Sequence, residues 1–126
     1  MMMVMDNLVS GLVIRAAIDV HRALGPGLLE SAYSRCLAIE LRNRGIFFEQ
    51  ERNLPITYHG VTIESGYRID FLVDRRVVVE VKAVEKLGDI HTAQVLTYMK
   101  LMKCRVGLLL NFNVPLLKDG IQRLVI

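Results

Sequence analysis

Apolar residues recur every three or four positions in two segments near the start of the chain. The first segment, residues 6 to about 24, predicts a helix, and Gly25-Pro26-Gly27 predicts a turn after it. Its stripe comprises Leu8, Leu12, Ala16 and Val20. A second amphipathic helix is predicted from about Leu28 to Arg44, where Gly45 follows as a C-terminal cap.

The middle of the chain changes to a pattern typical of strands. Ile46–Phe48 and Leu54–Tyr58 predict two short strands. Val61–Val73 and Val77–Ala83 predict the arms of a long hairpin, with residues 74–76 as its loop. We therefore expect three or four strands before the helical period returns.

The last third predicts a helix followed by two strands. The helix runs from about Asp89, as its N-cap, to Lys103. Val106–Phe112 is an almost unbroken apolar run, which is typical of a strand buried on both faces, and Ile121–Ile126 predicts a short final strand. This order predicts a single α/β domain over residues 1–126, with helices packed on a mixed central sheet.

Composition limits the classes of function. The 126 residues are 52% hydrophobic and 23% charged, which excludes intrinsic disorder and fits one globular domain. Sixteen basic against 13 acidic residues give a net charge of +3, which permits a polyanionic partner without requiring one. The start of the chain lacks signal-peptide features and no apolar run approaches about 20 residues, so we expect a cytoplasmic protein with no membrane association.

The hairpin carries the candidate chemistry. Alternation places an unbroken apolar series on one face: Ile69, Phe71, Val73, Val77, Val79 and Val81. The other face then holds Asp70, Glu80 and Lys82. A three-residue loop makes Asp70 the cross-strand partner of Glu80, and directly opposed like charges are destabilising. Two interpretations stay open at this point: a divalent cation held by both carboxylates, or a salt-bridged cluster on a surface strand.

The spacing of these residues resembles a known signature. Asp70, nine intervening residues and then Glu80-Val81-Lys82 are similar to the motif of the PD-(D/E)XK nuclease superfamily, with Ile69 where the motif has proline. Gly27-Leu28-Leu29-Glu30-Ser31-Ala32-Tyr33 resembles the naming motif of the GxxExxY family within it. Further similar segments are Glu40–Arg42, Tyr67–Asp70, Ala93-Gln94 with Tyr98, and Gly107–Phe112.

The resemblance implies a restriction-endonuclease-like fold and a role for each matched residue. Asp70 and Glu80 would be metal ligands, with the carbonyl of Val81 as a third. Lys82 would be the catalytic lysine, Glu30 would join the metal site, and Gln94 would help to shape it. Without the resemblance, Glu30 reads as a first-turn acid favoured by the helix dipole, and the stripe of His91, Gln94 and Tyr98 as a solvated helix face.

Together these observations predict a nuclease dependent on Mg²⁺, with Mn²⁺ as a substitute. It would cleave DNA rather than RNA, using a metal-activated water that Lys82 positions or deprotonates, and it would act as a monomer or a homodimer. Arg75 and Arg76, at the hairpin tip, are candidates for phosphate contacts or else scattered solvated charges. The alternative is a non-catalytic binding or scaffold module that retains the nuclease fold.

Overall fold

The first two helices occupy the positions that the apolar periodicity predicted. The computed structural model describes residues 2–126, apart from the side chains of Met2 and Ser65. Helix α1 spans Met2–Leu24 and helix α2 spans Glu30–Asn43. Helix α1 begins four residues before the predicted start because Met3 still packs against the core.

The next three elements are antiparallel strands. They are β1 (Phe48–Tyr58), β2 (Val61–Val73) and β3 (Val77–Lys82). The prediction of two short strands before β2 was wrong, because the polar residues between them pair with β2 and make β1 continuous. Asp74 and Arg75 adopt positive φ angles of 51° and 54° in the turn between β2 and β3, as in type I′ hairpin turns.

The remaining elements complete a mixed sheet. Helix α3 (Asp89–Met102) crosses over to strand β4 (Val106–Asn111), and a short 3₁₀ turn (Leu117–Gly120) leads to β5 (Ile121–Val125). The strand order is β1-β2-β3-β4-β5, in which β3 and β4 are parallel and all other neighbours are antiparallel. The structure therefore confirms the predicted α/β class, a mixed central sheet flanked by helices.

The core has one layer on each side of the sheet. Helices α1 and α2 cover one face, against inward side chains such as Phe71 and Val79. Helix α3 covers part of the other face, above Leu72 and Val78. All six residues of β4 are buried, which confirms the strand predicted to be covered on both faces. Because β3 and β4 are parallel, their carboxyl ends meet at one edge, where Lys82 pairs with Asn111.

Helix α3 packs directly on the backbone of β4 at Gly107. A Cβ atom added there would lie 2.5 Å from Sδ of Met99 and 2.8 Å from Cγ1 of Val95. We expect Gly107→Ala to lower the free energy of unfolding by about 1–3 kcal/mol, because overpacking displaces the helix. Urea denaturation followed by circular dichroism measures the change.

Gly11→Ala provides the matched control. Gly11 lies within α1, and its added Cβ would meet only Nη1 of Arg15, at 3.8 Å. This substitution should raise the free energy of unfolding by about 0.5–1 kcal/mol, because alanine loses less backbone entropy in a helix. Equal stability of the Gly107→Ala protein and the parent would contradict the close packing described.

Candidate active site

At one end of the β2–β3 pair, hydrogen bonds to two acidic side chains replace the backbone-to-backbone hydrogen bonds. Backbone pairing of these strands ends at Phe71 and Val79. Beyond it, the N–H of Asp70 donates to Oε2 of Glu80 at 2.7 Å, and the N–H of Val81 donates to Oδ2 of Asp70 at 2.8 Å. Each carboxylate therefore accepts a backbone hydrogen bond from the opposite strand, and both lie where the two strands separate.

The alternation of side chains along β2 breaks at the level of Asp70. Phe71 packs beneath α1 and α2 as predicted, but Ile69 packs with Leu72 in the cluster beneath α3. The prediction of one unbroken apolar face was therefore wrong at Ile69. Strand β1 is irregular at the same level, since Glu51, which lies between the partners of Ile69 and Phe71, has a φ of 55°. The departure from regular pleating accompanies the turn of the Asp70 carboxylate towards β3.

Lys82 and Glu30 come to the same region from different elements. Lys82 is the last residue of β3, and Glu30 is the first residue of α2. Burial raises the pKa of Glu30, and the ammonium group of Lys82 opposes this rise most strongly. Lys82 also opposes the raised pKa values of Asp70 and Glu80. The four charged groups are therefore close enough to influence one another.

Glu80 is the most perturbed of these acids. This residue is 2% exposed, and burial, followed by the charge of Asp70, raises its pKa to about 8. Burial also raises the pKa of Asp70, against the hydrogen bond from Val81. The surface-strand interpretation of this cluster does not fit an acid so fully removed from solvent.

Tyr33 holds the loop that positions Glu30. Its buried hydroxyl donates to the carbonyl of Gly25 at 2.6 Å and accepts the N–H of Leu28 at 3.1 Å. Its ring stacks on Phe112, with ring centroids 4.6 Å apart. Sequence reasoning assigned no role to Tyr33, although its place three residues after Glu30 in the motif was the available signal.

Asn111 holds the segment that follows Lys82, and sequence reasoning missed it too. Its buried side chain accepts the N–H of Val84 at 3.0 Å and donates to the carbonyl of Val84, also at 3.0 Å. The N–H of Phe112 donates to the carbonyl of Lys82 at 2.9 Å. The sequence signals for this role were an asparagine at the end of an apolar strand and its place in the Gly107–Phe112 segment that resembles the family.

The candidate residues border two depressions with different linings. A polar depression of about 330 Å³ lies beside α2. Its lining comprises Glu30, Ser31, Ser34, Arg35, Gln50, Glu51, Arg68 and Asp70. The other, of about 380 Å³, lies beside α3 and is bordered by Lys82, Gln94 and the tyrosines at 67 and 98. The interpretation of the His91–Gln94–Tyr98 stripe as a solvated face was therefore wrong at Tyr98, which is 3% exposed, whereas His91 and Gln94 are half-buried.

The arginines at the hairpin tip lie away from the candidate site. The tip is at the opposite end of β3 from Lys82, about 15–20 Å along the strand. Arg76 lies 3.5 Å from the buried Asp6 and 3.3 Å from Asp74, and Arg75 lies 3.9 Å from Glu49. Arg75 and Arg76 therefore do not border the candidate site, whereas Arg68 does.

A family model describing the PD-(D/E)XK nuclease superfamily matches residues 7–124. The chain belongs to the PD-(D/E)XK nuclease superfamily. No curated protein and no solved structure gave a significant match to the chain. Membership indicates a nuclease fold and a nucleic acid as substrate, and it is typical of enzymes that use divalent metals.

One structural observation qualifies what membership in the PD-(D/E)XK superfamily indicates about a metal site. Within residues 2–126, no three side chains of the His, Cys, Asp or Glu type converge closely enough to hold an ion by themselves. Asp70 and Glu80 thus form a pair, and Glu30 stands outside a closed cluster.

None of the described helices has both the length and the apolar character needed to cross a membrane.

The raised pKa of Glu80 links stability to pH. Because the folded state binds the proton more tightly than the unfolded chain, stability should fall as pH rises from about 4.5 to about 8. We expect Glu80→Gln to remove most of this fall and to be more stable than the parent by a few kcal/mol at pH 9. The amide oxygen can still accept the N–H of Asp70. Urea denaturation at several pH values, in the presence of a metal chelator, measures the free energy of unfolding of both proteins.

Glu64→Gln is the control for this pH dependence. Glu64 also lies on β2 but is exposed to solvent. Its replacement should leave the slope of stability against pH close to that of the parent. An unchanged slope in the Glu80→Gln protein would show that Glu80 titrates as an ordinary solvated acid.

Proposed function

We propose that this chain is a GxxExxY-type member of the superfamily that hydrolyses DNA phosphodiester bonds with a divalent cation. One observation carries the proposal: the half-buried Asp70 and the buried Glu80 lie together beside Lys82, and each carboxylate accepts a backbone N–H from the opposite strand. A buried like-charged pair is costly unless a proton or a cation compensates it. DNA is the preferred substrate because the motif resembles that of restriction endonucleases.

The donor set fits Mg²⁺, with Mn²⁺ as a substitute. Asp70 and Glu80 supply hard anionic oxygens, which Mg²⁺ prefers. The N–H of Val81 points towards Asp70, and in an extended strand the carbonyl of the same residue points to the same side. The Val81 carbonyl therefore faces the opening between β2 and β3 and qualifies as a third ligand. Mg²⁺ usually keeps several waters, through which Glu30 would contribute.

Each residue has a separate task in the proposed hydrolysis. A bound divalent cation would supply Lewis-acid chemistry at the phosphate. Lys82 would orient the attacking water and stabilise the negative charge that develops on the phosphate oxygens. Gln94, whose Nε2 donates to Oη of Tyr98 at 3.3 Å, would shape the wall of the site beside Lys82.

A non-catalytic scaffold is the second candidate. The observation that favours it is the lack, among residues 2–126, of a closed set of three ligating side chains. A scaffold would bind nucleic acid without metal-dependent cleavage. We further propose that the chain forms a homodimer, and sedimentation with and without DNA tests that oligomeric state.

Substitutions at Asp70 and Lys82 should have different effects. Asp70→Asn removes an anionic ligand and should abolish metal binding and cleavage together. Lys82→Met keeps metal binding but should lower turnover by about 10²–10⁴-fold, because the positioned ammonium group is lost. Titration calorimetry with Mg²⁺ or Mn²⁺ and cleavage of plasmid and single-stranded DNA measure the two effects.

Lys118→Met is the matched control for the lysine. Lys118 is exposed on the 3₁₀ turn and lines neither of the two depressions described. The Lys118→Met protein should cleave at the parent rate. Cleavage by Lys82→Met at the parent rate would overturn the proposed role of Lys82, and a parent that neither binds metal nor cleaves would favour the scaffold.

Binding of DNA should depend on Arg68. This exposed residue borders the polar depression beside Asp70. Arg68→Gln should weaken binding at low salt and reduce the slope of log affinity against log salt by about one, as loss of one phosphate contact predicts. Fluorescence anisotropy with a labelled oligonucleotide measures both quantities.

Arg75→Gln is the control for charge alone. Arg75 is 77% exposed in its side chain and lies at the far end of β3. Both substitutions remove one positive charge, so equal losses of affinity would indicate general electrostatics rather than a contact at Arg68. A larger loss for Arg75→Gln would place the nucleic acid at the hairpin tip.

A further inference from the structure

The depression beside α3 differs chemically from the one that contains Asp70. Its volume of about 380 Å³ falls in the range of about 300–1,000 Å³ that is typical of small-molecule sites. The described residues that line it include no carboxylate and a single formal cation, Lys82. Three acids, Glu30, Glu51 and Asp70, line instead the polar depression beside α2. The α3 depression therefore suits a planar, mostly uncharged group rather than a phosphate.

Two tyrosines form an aromatic corner in this depression. The rings of Tyr67 and Tyr98 have centroids 5.8 Å apart and planes inclined at 77°. Tyr98 is buried, whereas Tyr67 is only half buried. A flat heteroaromatic ring can stack on one such ring and meet the other at its edge, as aromatic pairs prefer. Stacking on an aromatic side chain is also tolerant of base identity.

Polar groups on α3 complement the edge of such a ring. Nδ1 of His91 accepts the N–H of Gly88 at 2.9 Å, so the neutral imidazole carries its proton on Nε2 as a donor. The amide of Gln94 offers both a donor and an acceptor in the same cavity. A cavity with aromatic walls and several hydrogen-bonding groups, among them the amide of Gln94, matches a nucleobase.

We propose that the depression lined by Tyr67, Gln94 and Tyr98 is a nucleobase pocket that holds one unpaired base beside the scissile phosphate. This inference rests on the proposed nuclease function. Lys82 connects the two sites, because it lines the pocket and also influences Asp70, Glu80 and Glu30. The base would thus belong to a nucleotide next to the bond that is cut.

The pocket determines the class of substrate. A base stacked within a duplex must rotate out of the helix to enter a cleft between a strand and a helix, and this costs least when the nucleotide is already unpaired. The substrate is therefore a single strand, a flap or a mismatched segment rather than a continuous duplex. Short duplexes should bind more weakly than single strands of the same sequence.

The test uses the fluorescence of 2-aminopurine placed in a single-stranded DNA oligonucleotide, in chelator so that no cleavage occurs. Binding, followed separately by anisotropy of an end label, should quench the 2-aminopurine through stacking. Tyr67→Ala should lose the quenching and weaken binding by about 5- to 150-fold, the range expected for one stacked base. Tyr58→Ala, at an exposed tyrosine of the β1–β2 hairpin, should change neither signal.

Ala93→Trp provides a second, blocking variant. Ala93 is exposed on α3 and lines the pocket, so a tryptophan there fills the cavity without entering the core. It should abolish the quenching in a protein that retains the parent circular dichroism. Undiminished quenching in both Tyr67→Ala and Ala93→Trp, equal affinity for duplex and single strand, or no binding of DNA would overturn the pocket.

The same variants separate this proposal from the nuclease proposal. Cleavage of single-stranded DNA by Ala93→Trp at the parent rate would overturn the pocket and leave the nuclease proposal intact. Quenching that depends on Tyr67 in a parent that never cleaves DNA would support the pocket and overturn the nuclease.

Discussion

The separation of β2 from β3 at Asp70 is the constraint on which the candidate site depends. Where the backbone ladder ends, two amide groups need new acceptors, since an unpaired amide away from water costs free energy. The carboxylates of Asp70 and Glu80 are those acceptors. The same hydrogen bonds orient the two acids, whose charges would otherwise repel each other. The opening of the sheet therefore fixes the positions of both carboxylates.

Apolar layers cover this arrangement on both faces of the sheet. Strands β3 and β4 lie between α1 and α2 on one side and α3 on the other, which leaves their shared carboxyl edge as the place where polar groups emerge. Asn111 and the stack of Tyr33 on Phe112 fix the loops at that edge. Residues without a catalytic role thus determine where Lys82 and Glu30 lie.

The side chains on the two sides of this edge differ in their chemistry. The side towards α2 collects acids, serines and arginines, which suit a cation and phosphate. The side towards α3 collects tyrosines and an amide, which suit an uncharged ring. Lys82 lies between them. Nucleic acid combines a phosphate and an uncharged base in each nucleotide, so under our proposal one substrate would satisfy both sides of the edge.

The sequence by itself determined the hairpin register, the candidate residues and the order of the elements, apart from the continuity of β1. Apolar periodicity located α1 and α2, and a three-residue loop after Val73 set the register in which Phe71 faces Val79. Only the tertiary structure decided how the carboxylates are held, because strict alternation cannot show that a strand departs from regular pleating at Asp70. Contacts between distant segments, such as Tyr33 with Phe112 or Lys82 beside Tyr67, arise from tertiary packing. Local sequence patterns carry no information about such contacts.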